Sequence, residues 1–232
     1  MTAKDRLIVA LDVKTADEAR ALVDRLSGKA GMFKVGSQLF TAAGPALVRE
    51  IIGRGEKVFL DLKYHDIPYT VANAVAEASL LGVSLITVHA LGGKAMMEAA
   101  VGALPAVGSR LLAVTILTSH DQASLGTVGL AGSVSDSVQR LARLAQQARV
   151  DGIVASPLEA ELIRGACGPD FLIVTPGIRL GAAKTDDQAR AATPSAAIRA
   201  GASYVVVGRP IVEASDPVAA AAAVVREMES AR

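Results

Sequence analysis

The chain has 232 residues, a formal net charge of +1, and a composition that is 51% hydrophobic but only 3% aromatic. Near-neutral charge leaves no electrostatic footprint for nucleic acid or an anionic membrane, so neither is an expected partner. Cys167 is the single cysteine, which excludes an internal disulfide or a multi-cysteine zinc site. The apolar runs are too short for a signal peptide or a membrane span, so a cytoplasmic location is expected.

From the N-terminus, RLIVALDV predicts a first strand that ends at Asp12. Thr15 and Glu18 follow at capping-box spacing, and TADEARALVDRLSG predicts a helix closing on Gly28. MFKVG, with Lys34 inside it, predicts a second strand, and GPALVREIIGRG the helix after it. KVFLDLK and YTVANAVAEASLLG form the third pair, SLITVHA and GKAMMEAAVGAL the fourth. RLLAVTIL leads through a long connection, TSHDQASLGTVGLAG, to the helix SDSVQRLARLAQQA. GIVAS pairs with PLEAELIRGACG. FLIVTPGI leads through RLGAAKTDDQARAA to TPSAAIRAGA, and SYVVVG precedes the last helix, DPVAAAAAVVREMESAR. Pro68, Pro157, Pro194 and Pro217 lie near helix starts, where the missing N–H costs little.

The strand runs are nearly continuous rather than alternating, as in strands buried on both faces. Eight strand–helix pairs in this length predict a (β/α)8 TIM barrel, one catalytic domain over residues 1–232. A doubly wound sheet would carry a glycine-rich turn after the first strand, and LDVKTAD has none. Both long connections follow strand C-termini, where barrel enzymes place their sites, and so are candidate lids.

The stretch DLKYHDIP spends Asp61, Lys63 and Asp66 at the end of a strand. Residues i and i+2 share a face, so Asp61 and Lys63 point together into the mouth while Leu60 and Leu62 meet the helices. A structural ion-pair network would satisfy such charges. A functional cluster is the stronger reading, because holding them together in a partly desolvated mouth is costly. VVVGRPI puts Gly208 and Arg209 after the eighth strand, and TPGIR puts Gly177 and Arg179 after the seventh. Those are the strand ends where many barrels hold a phosphate.

With these residues in view, the chain resembles the orotidine 5′-phosphate decarboxylase family. DLKYHDIP resembles the family's D-x-K-x-x-D-I signature, while IVALDV, FKVGSQLF, LTS at 117–119, TPGIR and VVVGRPI occur in family order. The resemblance implies decarboxylation of orotidine 5′-monophosphate to UMP and carbon dioxide, the last step of pyrimidine nucleotide synthesis, with no metal and no organic cofactor. It implies Lys63 as proton donor, Asp61 as the carboxylate near the departing group, and Lys34 and Asp66 as the other members of an alternating charge array. Asp12 and Lys34 match ribose contacts. Thr118 matches a pyrimidine contact, with Ser119 as the alternative. Arg179, Gln188, Gly208 and Arg209 match phosphate-side positions. Asp66, Ile67 and Thr70 match residues that reach into the partner subunit's site in a homodimer.

Two other activities share the barrel and the D-x-K-x-x-D core: 3-keto-gulonate 6-phosphate decarboxylase and hexulose-phosphate synthase, both metal-dependent. They resemble one another in a glutamate ligand where this chain has Lys34, and in Ala-Gly where it has Ile67-Pro68. A non-catalytic nucleotide-binding barrel would keep Arg209 but have no use for Lys63 beside Asp61. His89, at the end of TVHA, reads equally as a supporting or a structural histidine. His65 is expected to face away from Asp66, and Cys167 to pack inertly.

Overall fold

The computed structural model describes residues 1–180 and 192–231. All eight apolar runs form strands: β1 (Leu7–Ala10), β2 (Met32–Gly36), β3 (Val58–Tyr64), β4 (Leu85–His89), β5 (Arg110–Val114), β6 (Gly152–Val154), β7 (Leu172–Thr175) and β8 (Tyr204–Val207). They pair in sequence order, all parallel, and β8 returns to β1 to close the barrel. This is the expected TIM barrel. Among the described residues, no helix is long and apolar enough to cross a membrane.

The helices are α1 (Ala16–Leu26), α2 (Ser37–Gly53), α3 (Pro68–Leu80), α4 (Gly93–Gly102), α5 (Gln122–Thr127), α6 (Val134–Gln147), α7 (Ala160–Cys167), α8 (Pro194–Arg199), α9 (Arg209–Val212) and α10 (Pro217–Glu229). The capping box before α1 forms: Thr15 Oγ1 accepts from the Glu18 N–H at 3.2 Å, and Glu18 returns a carboxylate to the Thr15 N–H. Prolines occupy the first turn of α3, α8 and α10, and of a short 3₁₀ turn before α7.

The second helix differs from expectation. The expected helix from Pro45 forms, but a further helical stretch from Ser37 precedes it, separated by the non-helical Gly44 (φ 66). The start was hidden because Gly36, the residue before it, makes no side-chain cap. The long connection after β5 also holds more structure than a plain loop. Asp121 caps α5 within it, and Leu125 is fully buried, so part of this segment is packed onto the barrel.

Strand alternation sorts the side chains into two layers. Leu60, Ile86 and Val88 face the helices, whereas Ile8, Met32, Phe59, Leu85 and Leu112 fill the barrel's interior. The two-residue step carries those interior rows on to Lys34 in β2, Asp61 in β3 and Thr87 in β4. An aliphatic plug therefore ends in a polar layer at the C-terminal mouth. The plug makes the floor of that layer dry, which raises the cost of any charge left without a partner there.

Candidate active site

Lys34 and Asp61 are well sheltered, their side chains only 12% and 13% exposed; Lys63 is 35% exposed. Lys63 Nζ donates to Asp61 Oδ2 at 2.9 Å. Lys34 Nζ stands 3.8 Å from the same oxygen and donates to Asp12 Oδ1 at 3.0 Å. The result is a row of alternating sign, Asp12–Lys34–Asp61–Lys63, drawn from three adjacent strands. Alternation is what makes the row tenable, since each buried charge has an opposite neighbour to offset its lost hydration.

Asp61 is held at both oxygens. Its Oδ1 accepts from the Thr87 hydroxyl at 3.0 Å, and the same hydroxyl accepts the Lys63 backbone N–H at 2.9 Å. The ladder between β3 and β4 is irregular at this point. Leu60 pairs with Ile86 and Tyr64 with Val88, so four steps along β3 match two along β4. Lys63 sits in that bulge with φ 52, a left-handed backbone uncommon for a side chain of its size.

One cleft gathers most of the residues expected in the site. Asp12, Lys34, Asp61 and Lys63 line it, as do Thr118 and Ser119 after β5. Gly177 and Arg179 after β7, and Gly208 and Arg209 after β8, close its other side. Glycine is favoured at two of these positions for different reasons. Gly177 has φ 77, where a side chain would be strained. A Cβ on Gly208 would come within 3.3 Å of Asp12 Oδ2, crowding the first charge of the row.

The model of the family described as orotidine 5′-phosphate decarboxylase / HUMPS family matches residues 5–224. The chain belongs to that family. It is 54% identical over 231 residues to the orotidine 5′-phosphate decarboxylase of Trichlorobacter lovleyi, covering 97% of this chain and 96% of the relative. Identity is 53% over 237 residues to the orotidine 5′-phosphate decarboxylase of Moorella thermoacetica, covering 99% and 94%. A crystal structure of orotidine 5′-phosphate decarboxylase from Lactobacillus acidophilus superposes with a TM-score of 0.84 at 39% identity, covering 95% of this chain and 97% of the other.

Three expected family residues lie outside the cleft. Asp66, Ile67 and Thr70 are exposed, and Ile67 and the neighbouring Tyr69 present 64% and 78% of their surface to solvent. Asp66 Oδ1 accepts from the Ile67 N–H at 2.6 Å, a bond within the segment itself. Gln188 lies outside the described residues.

Two features had not been anticipated. Thr87 is one, fully buried yet in contact with both charged residues of β3. The other is a stack of His65 on His89, ring centroids 5.4 Å apart and planes 19° from parallel. Burial, then the nearby His65, Lys63 and His120, lower the His89 pKa to about 4 from the ordinary 6.5. Its Nδ1 accepts from the Leu91 N–H at 3.3 Å, a bond that only the unprotonated nitrogen makes.

The folded-state value lies below the unfolded one, so between about 6.5 and about 4 the unfolded chain binds a proton that the folded chain refuses. Stability contributed by neutral His89 is therefore present above that window and is lost as pH falls through it. Urea unfolding of the native chain and His89→Gln at pH 7 and pH 5 checks this. The native chain's advantage over the variant is expected to shrink at pH 5, and an equal gap at both pH values would contradict it.

Proposed function

We propose that this chain decarboxylates orotidine 5′-monophosphate to UMP and carbon dioxide as the last step of pyrimidine nucleotide synthesis, working in the cytoplasm as one barrel domain over residues 1–232. The observation that carries this is the row Asp12–Lys34–Asp61–Lys63 on one wall of the cleft. Arg179 and Arg209 on the opposite side supply planar donors suited to a phosphate.

The reaction breaks the bond between the ring carbon and its carboxylate, leaving the electron pair on that carbon as carbon dioxide departs. No electron sink is needed if a cation already stands beside the carbon. Lys63 is that cation: fixed by Asp61, it faces the developing negative charge without having to reorganise. Its Nζ then passes a proton to the carbon, giving UMP, and recovers one from solvent. Asp61 lies beside the departing carboxylate, and the repulsion between them is relieved as neutral carbon dioxide leaves. Asp12 and Lys34 hold the ribose hydroxyls. Thr118, or Ser119 beside it, contacts the pyrimidine. Gly208, Arg209, Arg179 and Gln188 take the phosphate, so that binding energy far from the reacting carbon helps position it.

No cofactor is assigned. Lys34 Nζ stands 3.0 Å from Asp12 and 3.8 Å from Asp61, between the two carboxylates that would otherwise invite a divalent cation. This separates the proposed reaction from the metal-dependent sugar-phosphate chemistries. Turnover of orotidine 5′-monophosphate in EDTA tests the assignment. Full activity is expected, and activity that needs added metal, or binding without turnover, would overturn it.

The working unit in this proposal is a C2 homodimer with shared sites, each subunit lending Asp66, Ile67 and Thr70 to the other. Support comes from the outward exposure of those residues and from the apolar Ile67 and Tyr69 beside them. Lys63→Ala and Asp66→Ala are each expected to be nearly inactive. In a mixed dimer one site carries both defects and the other neither. Random mixing makes half the dimers mixed, so activity should return to roughly a quarter of native. Confirmed subunit exchange with no recovery would contradict the sharing.

A further inference from the structure

The hydroxyl of Thr87, on the neighbouring strand, binds two groups of β3 at once. It accepts from the backbone N–H of Lys63 at 2.9 Å and donates to Asp61 Oδ1 at 3.0 Å. A hydroxyl has one proton and two lone pairs, so the two bonds are compatible and use its proton fully. The side chain is completely buried, which keeps water from substituting for it.

Its position meets a specific need. Asp61 and Lys63 both reach the mouth, but the bulge in β3 removes the regular ladder that would hold this segment against β4. Lys63 also adopts φ 52, a conformation that persists only when its surroundings enforce it. Thr87, the one β4 residue between the two paired positions, provides that enforcement from the neighbouring strand. By gripping the lysine's backbone and the carboxylate together, it sets the approach of Lys63 Nζ to Asp61 Oδ2. A valine would fit the same space with neither bond.

We infer that Thr87 is a positioning residue for the proton donor, holding the Lys63–Asp61 pair in register through its hydroxyl. This rests on the proposed decarboxylation for its kinetic consequence and on the bulge geometry for its structural one. Thr87 touches no reacting atom, so its loss should act on turnover rather than on product binding.

The test compares Thr87→Val and Thr87→Ser with the native chain for kcat on orotidine 5′-monophosphate, UMP affinity by calorimetry, and crystal structure. Misplacing a reacting group by an ångström costs about a hundredfold. Thr87→Val should lose kcat on that scale with UMP affinity largely kept, and Thr87→Ser should recover most of the loss. Native kcat in Thr87→Val, equal loss in both variants, or a fall in UMP affinity that matches the fall in kcat would each overturn the inference. If Thr87→Val does not fold, Thr87→Cys keeps the size with weaker hydrogen bonding and carries the same comparison. If the native chain itself turns over no substrate, the proposed reaction fails but the geometric claim is still decided by the crystal structures. The Lys63–Asp61 contact should lengthen from 2.9 Å in the variant, and an unchanged contact overturns it.

Discussion

Asp61 lies between two ammonium groups at the top of an aliphatic plug, and the rest of the site is arranged around that fact. Lys63 stands 2.9 Å from it on one side and Lys34 3.8 Å on the other. Removing such groups from water costs several kcal/mol per ion before their mutual attraction offsets it. Every feature nearby reduces that cost. Asp12 occupies the outer side of Lys34, Thr87 takes the second oxygen of Asp61, and the bulge brings Lys63 back onto the same carboxylate. Remove Asp61 from the middle and two cations face each other over Phe59 with nothing between them.

The arrangement is also chemically one-directional. A row already neutralised within itself has no unmet need for a substrate anion in the ground state. In the proposed reaction it would gain when negative charge develops on a carbon beside Lys63, and when the carboxylate opposite Asp61 becomes neutral carbon dioxide. That is stabilisation weighted toward the transition state, which raises turnover rather than affinity. Affinity would then come from the opposite wall, with Arg179, Arg209, the positive-φ Gly177 and Gly208 close to Asp12. In that proposal the two tasks are separated by strand: the charges at the ends of β1 to β3 react, and the residues after β7 and β8 anchor the substrate.

Much of this was legible in the sequence because it depends on short-range periodicity. Continuous apolar runs marked the strands, and the i, i+2 step between Asp61 and Lys63 placed both in the mouth. Glycine and arginine at the ends of the seventh and eighth runs, expected on a phosphate side, do line the cleft. What escaped depends on neighbours distant in the chain. The bulge is a mismatch between β3 and β4, and neither strand announces it alone. Thr87 lies in ITVH, where a threonine suits any strand, and only the register across from Asp61 gives its hydroxyl a task. The histidine stack likewise joins the segment after β3 to the end of β4. The early start of α2 escaped for a local reason, because Gly36 offers no capping side chain to read. The expected role of Asp66, Ile67 and Thr70 across a subunit interface rests on family resemblance alone, since all three are exposed outside the cleft.

In the proposed reaction the charge on Asp61 drives the chemistry as well as organising the site. Replacing it with asparagine keeps the shape and the capacity to accept from Thr87 while deleting the charge. The decisive measurement is single-turnover decarboxylation by Asp61→Asn, with UMP affinity measured on the same folded protein. A loss of three orders of magnitude or so in the chemical step is expected, about 4 kcal/mol of transition-state stabilisation, with product affinity largely retained. A chemical step near the native rate in Asp61→Asn would contradict the account.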